Sequence, residues 1–225
     1  MSDEKSIATR FWTPVLYDVA GALESIERPE ERVDRVLDLL AGFVPYDRCA
    51  LLEATPLLGR EISVRPPLEE VEQFAGRLRR LLRLLSDEPL GSGVMEDAKT
   101  SRSAHLAVPV ITLGEVQAIL YVERVGEDYQ EEHLAFLSVV AAQIAAYLAT
   151  LKAHRELQAS ESRFRRLYES RMLGMVFMDA AGRVHDANEG FMSVAGRSLS
   201  ELRSLGWFEL LPAEEEQRNR KAARE

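Results

Sequence analysis

The chain has 225 residues, with 28 Lys+Arg against 37 Asp+Glu, a formal net charge of −9 and a single cysteine. Its 46% hydrophobic content supplies a core and excludes a disordered tract, and its acidic balance argues against direct nucleic-acid binding, because a phosphate backbone is repelled at long range. One cysteine excludes a disulfide framework within the chain and any cysteine-based zinc cluster.

The acidity is uneven. Residues 151–225 hold 13 basic and 12 acidic side chains, which leaves 15 and 25 to residues 1–150. Residues 1–10 mix charges without an apolar run, so a cytoplasmic, reduced setting is expected.

Residues 13–26 read as a helix, with Thr13 as its cap, Pro14 in its first turn, and Val15, Val19, Leu23 and Ile26 at helical spacing. Pro29 opens a second helix that runs toward Val44, with Glu30 and Glu31 where the helix dipole favours acids and a stripe of Val33, Val36, Leu37, Leu40 and Phe43. The period then shortens. Arg48–Ala54 reads as a strand and Glu61–Arg65 as its hairpin partner. A helix over 68–85 follows, acidic at its start and basic at its end, and then a polar loop over 86–104.

His105–Thr112 and Val116–Arg124 flank a Leu113-Gly114-Glu115 turn and read as a β-hairpin. Leu106, Val108 and Val110 point one way, and Ala107 and Ile111 the other. A sheet apolar on both faces needs cover on both, so helices are expected on one face, with the 68–85 helix and the loop on the other. A pocket is expected between sheet and loop.

From Gln130 a helix of about 40 residues is expected, since neither Gly nor Pro occurs before Gly174. Its stretch Leu134–Leu151 has no charge and sits at the lower edge of bilayer-spanning length. Six alanines, with Ser138, Gln143, Tyr147 and Thr150, favour burial against protein instead, and no membrane is expected. Leu137, Ile144 and Leu151 are seven apart, with Val140 and Tyr147 between them, a heptad-like seam that suggests pairing with a second copy. After Gly174 two short strands, a helix capped by Asn188, and short helices near 199–202 and 207–211 are expected, then a charged helix from Pro212.

The order of two helices, a strand pair, a helix, a loop, a hairpin and a long final helix resembles a GAF domain. The hairpin AVPVITLGEVQAILYVER, followed by Glu127-Asp128-Tyr129, carries the likeness. The later segment resembles the start of a PAS domain, in Ser160–Arg165, Gly174–Asp179, Gly182, Val184, Asn188-x-x-Phe191 and Gly196…Leu199-Ser200-Glu201-Leu202. A PAS domain continues with three more strands, whereas this sequence ends at Glu225, so a fragment or truncated form is expected. The resemblances imply an α+β fold: a GAF-like sensory domain over 13–150, a signalling helix over 151–172 and an incomplete PAS-like domain over 173–225.

The GAF resemblance places a pocket between the central strands and the 86–104 loop. Cys49, Glu53, Met95, Arg102, His105 and Tyr121 are the expected ligand-binding residues, combining apolar walls with a few polar handles. No metal site and no particular cofactor is implied. Cys49 reads first as a buried small hydrophobe. Bilin-binding GAF domains place their cysteine beside a histidine near the hairpin, and residues 86–104 contain neither. GAF-fold reductases of oxidised methionine use several cysteines. The cyclic-nucleotide motif N-K-x(n)-F-x(3)-D-E is absent, as are Walker and Gly-x-Gly-x-x-Gly loops. His154 lies on the long helix, but Arg155 stands where kinase phosphoacceptor sites have an acid. The basic stretch Arg77–Arg83 reads as a solvated helix face, with an anion surface as the lesser alternative.

The expectation is a non-catalytic sensory and dimerisation region of a signal-transduction protein such as a histidine kinase of a two-component system. It would be a homodimer through the long helix, relaying a small-molecule or partner signal. The alternatives are the input domain of a transcriptional regulator and a dimerisation module without ligand.

Overall fold

The computed structural model describes the backbone of residues 2–25, 27–87 and 103–205 and, from Trp12 on, the side chains of all these but Asp87. Two compact units divide the chain, Met1–Ala153 and His154–Glu225.

The first unit is built from α1 (Ser2–Glu24), α2 (Pro29–Leu40), β1 (Arg48–Glu53), β2 (Ile62–Arg65), α3 (Val71–Asp87), β3 (Ser103–Thr112), β4 (Glu115–Val125) and the start of α4 (Glu131–Tyr168). The strands form one antiparallel sheet in the order β2-β1-β4-β3. The turn between β3 and β4 is tighter than expected. Thr112 pairs with Glu115, and Leu113 and Gly114 both take positive φ, 52° and 83°, the backbone a two-residue hairpin turn needs to match strand twist.

Pleating divides the apolar residues into two clusters. Leu51, Leu106, Val108, Val110, Leu120 and Val122 face α1, α2 and α4, where they meet Val19, Leu37, Leu40, Phe136, Val140 and Ile144. Trp12, Phe43 and Phe136 add edge-on and tilted ring contacts there. Ala50, Leu52, Ala107, Ile119 and Tyr121 face the other way and are covered by Phe74, Ala75, Leu78, Leu82 and Leu85 of α3. Both faces are covered, as the apolar strands require, and the fold is the expected α+β arrangement of antiparallel sheet, helices and one long helix.

Three helices depart from their sequence signals. Helix α1 begins at Ser2 and carries Pro14 inside it, so the Thr13-Pro14 pair is not its start; a proline that lacks an N–H fits a first turn but does not prove one. Helix α2 ends at Leu40, short of Val44. Helix α3 starts at Val71 rather than Leu68 and runs to Asp87, so its last turn holds no basic residue.

Helix α4 is long and apolar enough, by length and composition, to cross a membrane. Phe136, Leu137, Val140, Ala141, Ile144, Ala145 and Leu148 nevertheless form a buried stripe in the core of the first unit. Most of the heptad seam read from the sequence, Leu137, Val140 and Ile144, therefore belongs to this intramolecular stripe, with Tyr147 and Leu151 packed at its edge.

The second unit contains the end of α4, β5 (Val176–Met178), β6 (Val184–Ala187), α5 (Glu189–Ala195) and α6 (Leu199–Leu205). Strands β5 and β6 pair antiparallel. Among the described residues its buried apolar side chains are Val184, Ala187 and Leu202. Asn188 caps α5, accepting from the Phe191 N–H at 2.9 Å, and also accepts from the Met175 N–H at 2.7 Å. The helices expected near 207–211 and after Pro212 lie outside the described residues.

Candidate functional site

The α3-facing side of the sheet holds a polar cluster at one end of an apolar layer. Strand register sets its geometry. Tyr121 on β4 lies between Ala50 of β1 and Ala107 of β3, whose small side chains leave room for the ring. Two residues on, Glu123 shares that face and lies between Arg48 and His105. The His105 and Tyr121 rings stack with centroids 5.7 Å apart.

Glu123 collects three donors. Tyr121 donates its hydroxyl to Oε2 at 2.8 Å, Arg77 of α3 approaches the same oxygen from Nη2 at 2.6 Å, and Arg48 donates from Nη1 to Oε1 at 2.9 Å. Its carboxylate is only 13% exposed, so these bonds replace water. Phe74 of α3 lies against both guanidiniums, 5.3 Å from Arg48 and 5.1 Å from Arg77, and meets Tyr121 edge-on at 5.7 Å. Arg77 also lies 5.5 Å from the Tyr121 ring. Such cation–π contacts hold a guanidinium in one orientation. Burial, then the neighbouring Glu123 charge and its hydrogen bond, push the Tyr121 hydroxyl well above the ordinary tyrosine range.

Two depressions meet at this cluster. A groove of about 980 Å³ is lined by Arg48, Leu68, Phe74, Arg77 and Arg80, with Glu69 and Glu70 also on its wall. A smaller one of about 340 Å³ is lined by Asp47, Arg48, Arg77, Ser103, Glu123 and Arg124.

Of the six expected ligand-binding residues, the four described ones are separated. His105 and Tyr121 come together on the α3 face. Cys49 and Glu53 lie on the opposite face, because they share the pleat of Leu51. Cys49 is fully buried in the helix-covered core, and burial pushes its thiol well above the ordinary cysteine range, so the reactive thiolate is disfavoured. Glu53 is 2% exposed and binds backbone, accepting from the Leu57 and Leu58 N–H groups at 2.7 and 3.2 Å. Met95 and Arg102 lie outside the described residues. Among the described residues no group of three or more His, Cys, Asp or Glu is placed to hold a metal ion.

Arg48, Phe74 and Glu123 were not singled out from the sequence, whereas Arg77 was read there as part of a solvated helix face with an anion surface as the lesser alternative. One signal was available: with β1 and β4 antiparallel neighbours, Arg48 and Glu123 are an opposite-charge pair at matching strand ends.

The model of the GAF domain family matches residues 28–148. The chain belongs to the GAF family. A GAF domain is a sensory domain found in signalling proteins. The match takes in the whole sheet, α2, α3 and the buried stripe of α4, and so includes every described member of the polar cluster.

Several solved structures are similar to this GAF protein. The GAF domain of a phosphoenolpyruvate-protein phosphotransferase from Coxiella burnetii is 18% identical, with a TM-score of 0.46 over 64% of this chain and 96% of that one. The GAF domain/HD domain protein from Geobacter sulfurreducens is 13% identical, with a TM-score of 0.42 over 57% of this chain and 97% of that one. The DhaR(N)-DhaL complex from E. coli gives 15% identity and a TM-score of 0.39 over 97% of this chain and 76% of that one. No curated protein matches the chain.

Proposed function

We propose that this GAF domain is the sensory and dimerisation part of a cytoplasmic signalling protein, non-catalytic in itself, acting as a homodimer and passing its state along α4 to a PAS-like module and an output beyond it. The observation that carries this reading is the double use of α4. Its Phe136–Leu148 stripe is part of the GAF core, and its distal end supplies Phe164 and Tyr168, whose rings lie 6.2 and 6.1 Å from Phe177 of β5. A change in GAF packing therefore acts on the helix that the second unit also uses. The paired strands, the Asn188 cap and the two short helices after it support the PAS-like reading of that unit. The non-catalytic reading is supported by the employment of the polar groups: Cys49 is inert by burial, Glu53 holds a turn, and Glu123 is engaged by two arginines.

The dimer seam is assigned to the side of α4 away from the core. Ala135, Val139, Ala142, Ala146, Ala149 and Ala153 follow one another by four and three residues, and all but the half-buried Ala149 are exposed. That spacing is a coiled-coil repeat of small apolar residues, which lets two helices approach closely. Light scattering on the full chain tests it. A dimer is expected, with Ala146→Glu giving a monomer of unchanged helical content; a monomeric parent chain would defeat the reading.

The apolar layer beneath α3 is filled by the protein's own side chains. That observation favours, as a second reading, a module that dimerises without a ligand.

A further inference from the structure

We propose that the Arg48–Glu123–Arg77 cluster is a binding site for a small organic monocarboxylate with an apolar body, entering by the groove between α3 and the start of β1. The inference rests on the sensory reading above and names the ligand class of that module.

The first observation is charge. Arg48 and Arg77 share one carboxylate, Glu123, at 2.9 and 2.6 Å. The trio alone carries a net charge of +1, and Arg80 in the same groove is set against Glu69 and Glu70. The second is donor capacity. A guanidinium carries five N–H groups in a fixed fork, and the Nε of Arg48 is buried without a hydrogen-bond partner. That nitrogen is closed to the groove, but the Arg48 side chain as a whole is 35% exposed and lines it, and a carboxylate is the group best matched to the N–H groups of such a fork. The third is preorganisation. Both guanidiniums lie against Phe74 and one also against Tyr121, so little side-chain freedom is lost when a ligand binds.

The lining also selects among anions. Glu69 and Glu70 share the groove with the arginines, which opposes a phosphate dianion more than a carboxylate monoanion. Leu68 and Phe74 present apolar surface for the body of the ligand. Glu123 itself shows that the two arginines accept a carboxylate.

Calorimetric titration of the full chain with benzoate and hexanoate tests the proposal, with benzyl alcohol as the neutral counterpart and inorganic phosphate as the dianion. The expected result is saturable binding of a carboxylate that the alcohol and phosphate do not reproduce. Arg77→Gln, a change at a half-exposed helix position, should weaken it about tenfold, and Arg80→Gln less. Because Arg48→Gln could fail through folding, Arg77→Gln, shown to be folded at the titration temperature by its circular dichroism, is the deciding variant. Absence of saturable binding by both carboxylates, equal binding of the alcohol or phosphate, or undiminished affinity in Arg77→Gln overturns the site. None of these outcomes alters the dimer measurement that tests the sensory reading, so the two can fail separately.

Discussion

Glu53 ends β1 by bonding to the backbone of the turn that follows it: its Oε2 accepts from the Leu57 N–H at 2.7 Å. Its other oxygen takes the Leu58 N–H at 3.2 Å, and the side chain is 2% exposed. A carboxyl group this deeply buried serves the fold through its hydrogen bonds. Glu53→Ala leaves two backbone donors facing an apolar interior and is expected to cost about 2–3 kcal/mol. Glu53→Gln keeps an acceptor and should recover about half of that loss. Urea unfolding of the three proteins measures both, and carboxylate binding at the opposite face should be unaffected by either change.

Much of this fold was legible where a local period decides it. The β3–β4 hairpin follows from alternating apolar residues around Leu113-Gly114, and the need to cover both faces follows from Val108 and Ala107 pointing opposite ways. What escaped was set by packing. The apolar stripe of α4 is plain in the sequence, but a stripe does not say what it packs on; Leu137 and Ile144 meet the chain's own sheet rather than a second copy. The start of α1 escaped because Pro14 resembles a first-turn proline and is an interior one.

The candidate site was half legible for the same reason. His105 and Tyr121 were found because they lie on the clearest strands. Cys49 was grouped with them although it pairs with Val122 and shares that residue's face. Parity separates Cys49 from Ala50 at once, but which of the two faces α3 is a tertiary fact. Arg77 and Glu123 are 46 positions apart, and only the docking of α3 on β4 joins them.

The acid side of the pH profile should be governed partly by Asp34. Burial alone would raise its carboxyl, but Arg60 and Arg65 both hydrogen-bond it, Arg65 at 2.7 Å, and hold it below the usual aspartate range. A carboxyl lowered in the folded state contributes stability that is present above its unfolded pKa, about 3.9, and is lost as pH falls through the folded value. Asp34→Asn should therefore lower stability at neutral pH and flatten the decline below about pH 4. Chemical unfolding measured across that range checks both effects.

The alkaline side has the opposite sign. Burial pushes Tyr46 up to about 12 and raises Tyr121 and Tyr129 as well. Each hydroxyl also donates inside the fold, Tyr46 to the Leu37 carbonyl at 2.8 Å and Tyr129 to the Pro45 carbonyl at 3.1 Å. Unfolded tyrosines ionise near about 10, so their contribution is whole below that pH and falls away as pH rises through the folded values. Stability should drop steeply from about pH 10 upward, with tyrosinate absorbance appearing together with unfolding. Tyr46→Phe should be less stable at neutral pH and lose less on the way to about pH 12.

In the second unit Asn188 is the main polar tie. It is 1% exposed; its amide nitrogen donates to the Tyr168 and Leu173 carbonyls at 2.8 and 2.7 Å, and its oxygen accepts from Met175 and Phe191. Asn188→Ala removes the α5 cap and leaves these backbone groups unpaired, at an expected cost of about 2–3 kcal/mol. Among the described residues Val184, Ala187 and Leu202 form the apolar core beside these bonds. Limited proteolysis should cleave the second unit first in this variant while the GAF core survives.

Gly190 provides a test in which the sign itself discriminates. It lies within α5, where replacing glycine by alanine ordinarily gains about 0.5–1 kcal/mol through helix propensity. Here the backbone approaches too closely for that gain. A Cβ at this position would stand 2.5 Å from the Leu173 carbonyl oxygen and 2.9 Å from that of Ser170. Both are backbone atoms in the segment that Asn188 fastens, so relief requires α5 to move off the chain before β5 and to strain the Asn188 bonds. Gly190→Ala is therefore expected to destabilise the second unit by about 1–3 kcal/mol. Hydrogen exchange of the α5 amides measures it: faster exchange than in the parent chain is the expected result, and slower exchange would show that propensity outweighs the close contact.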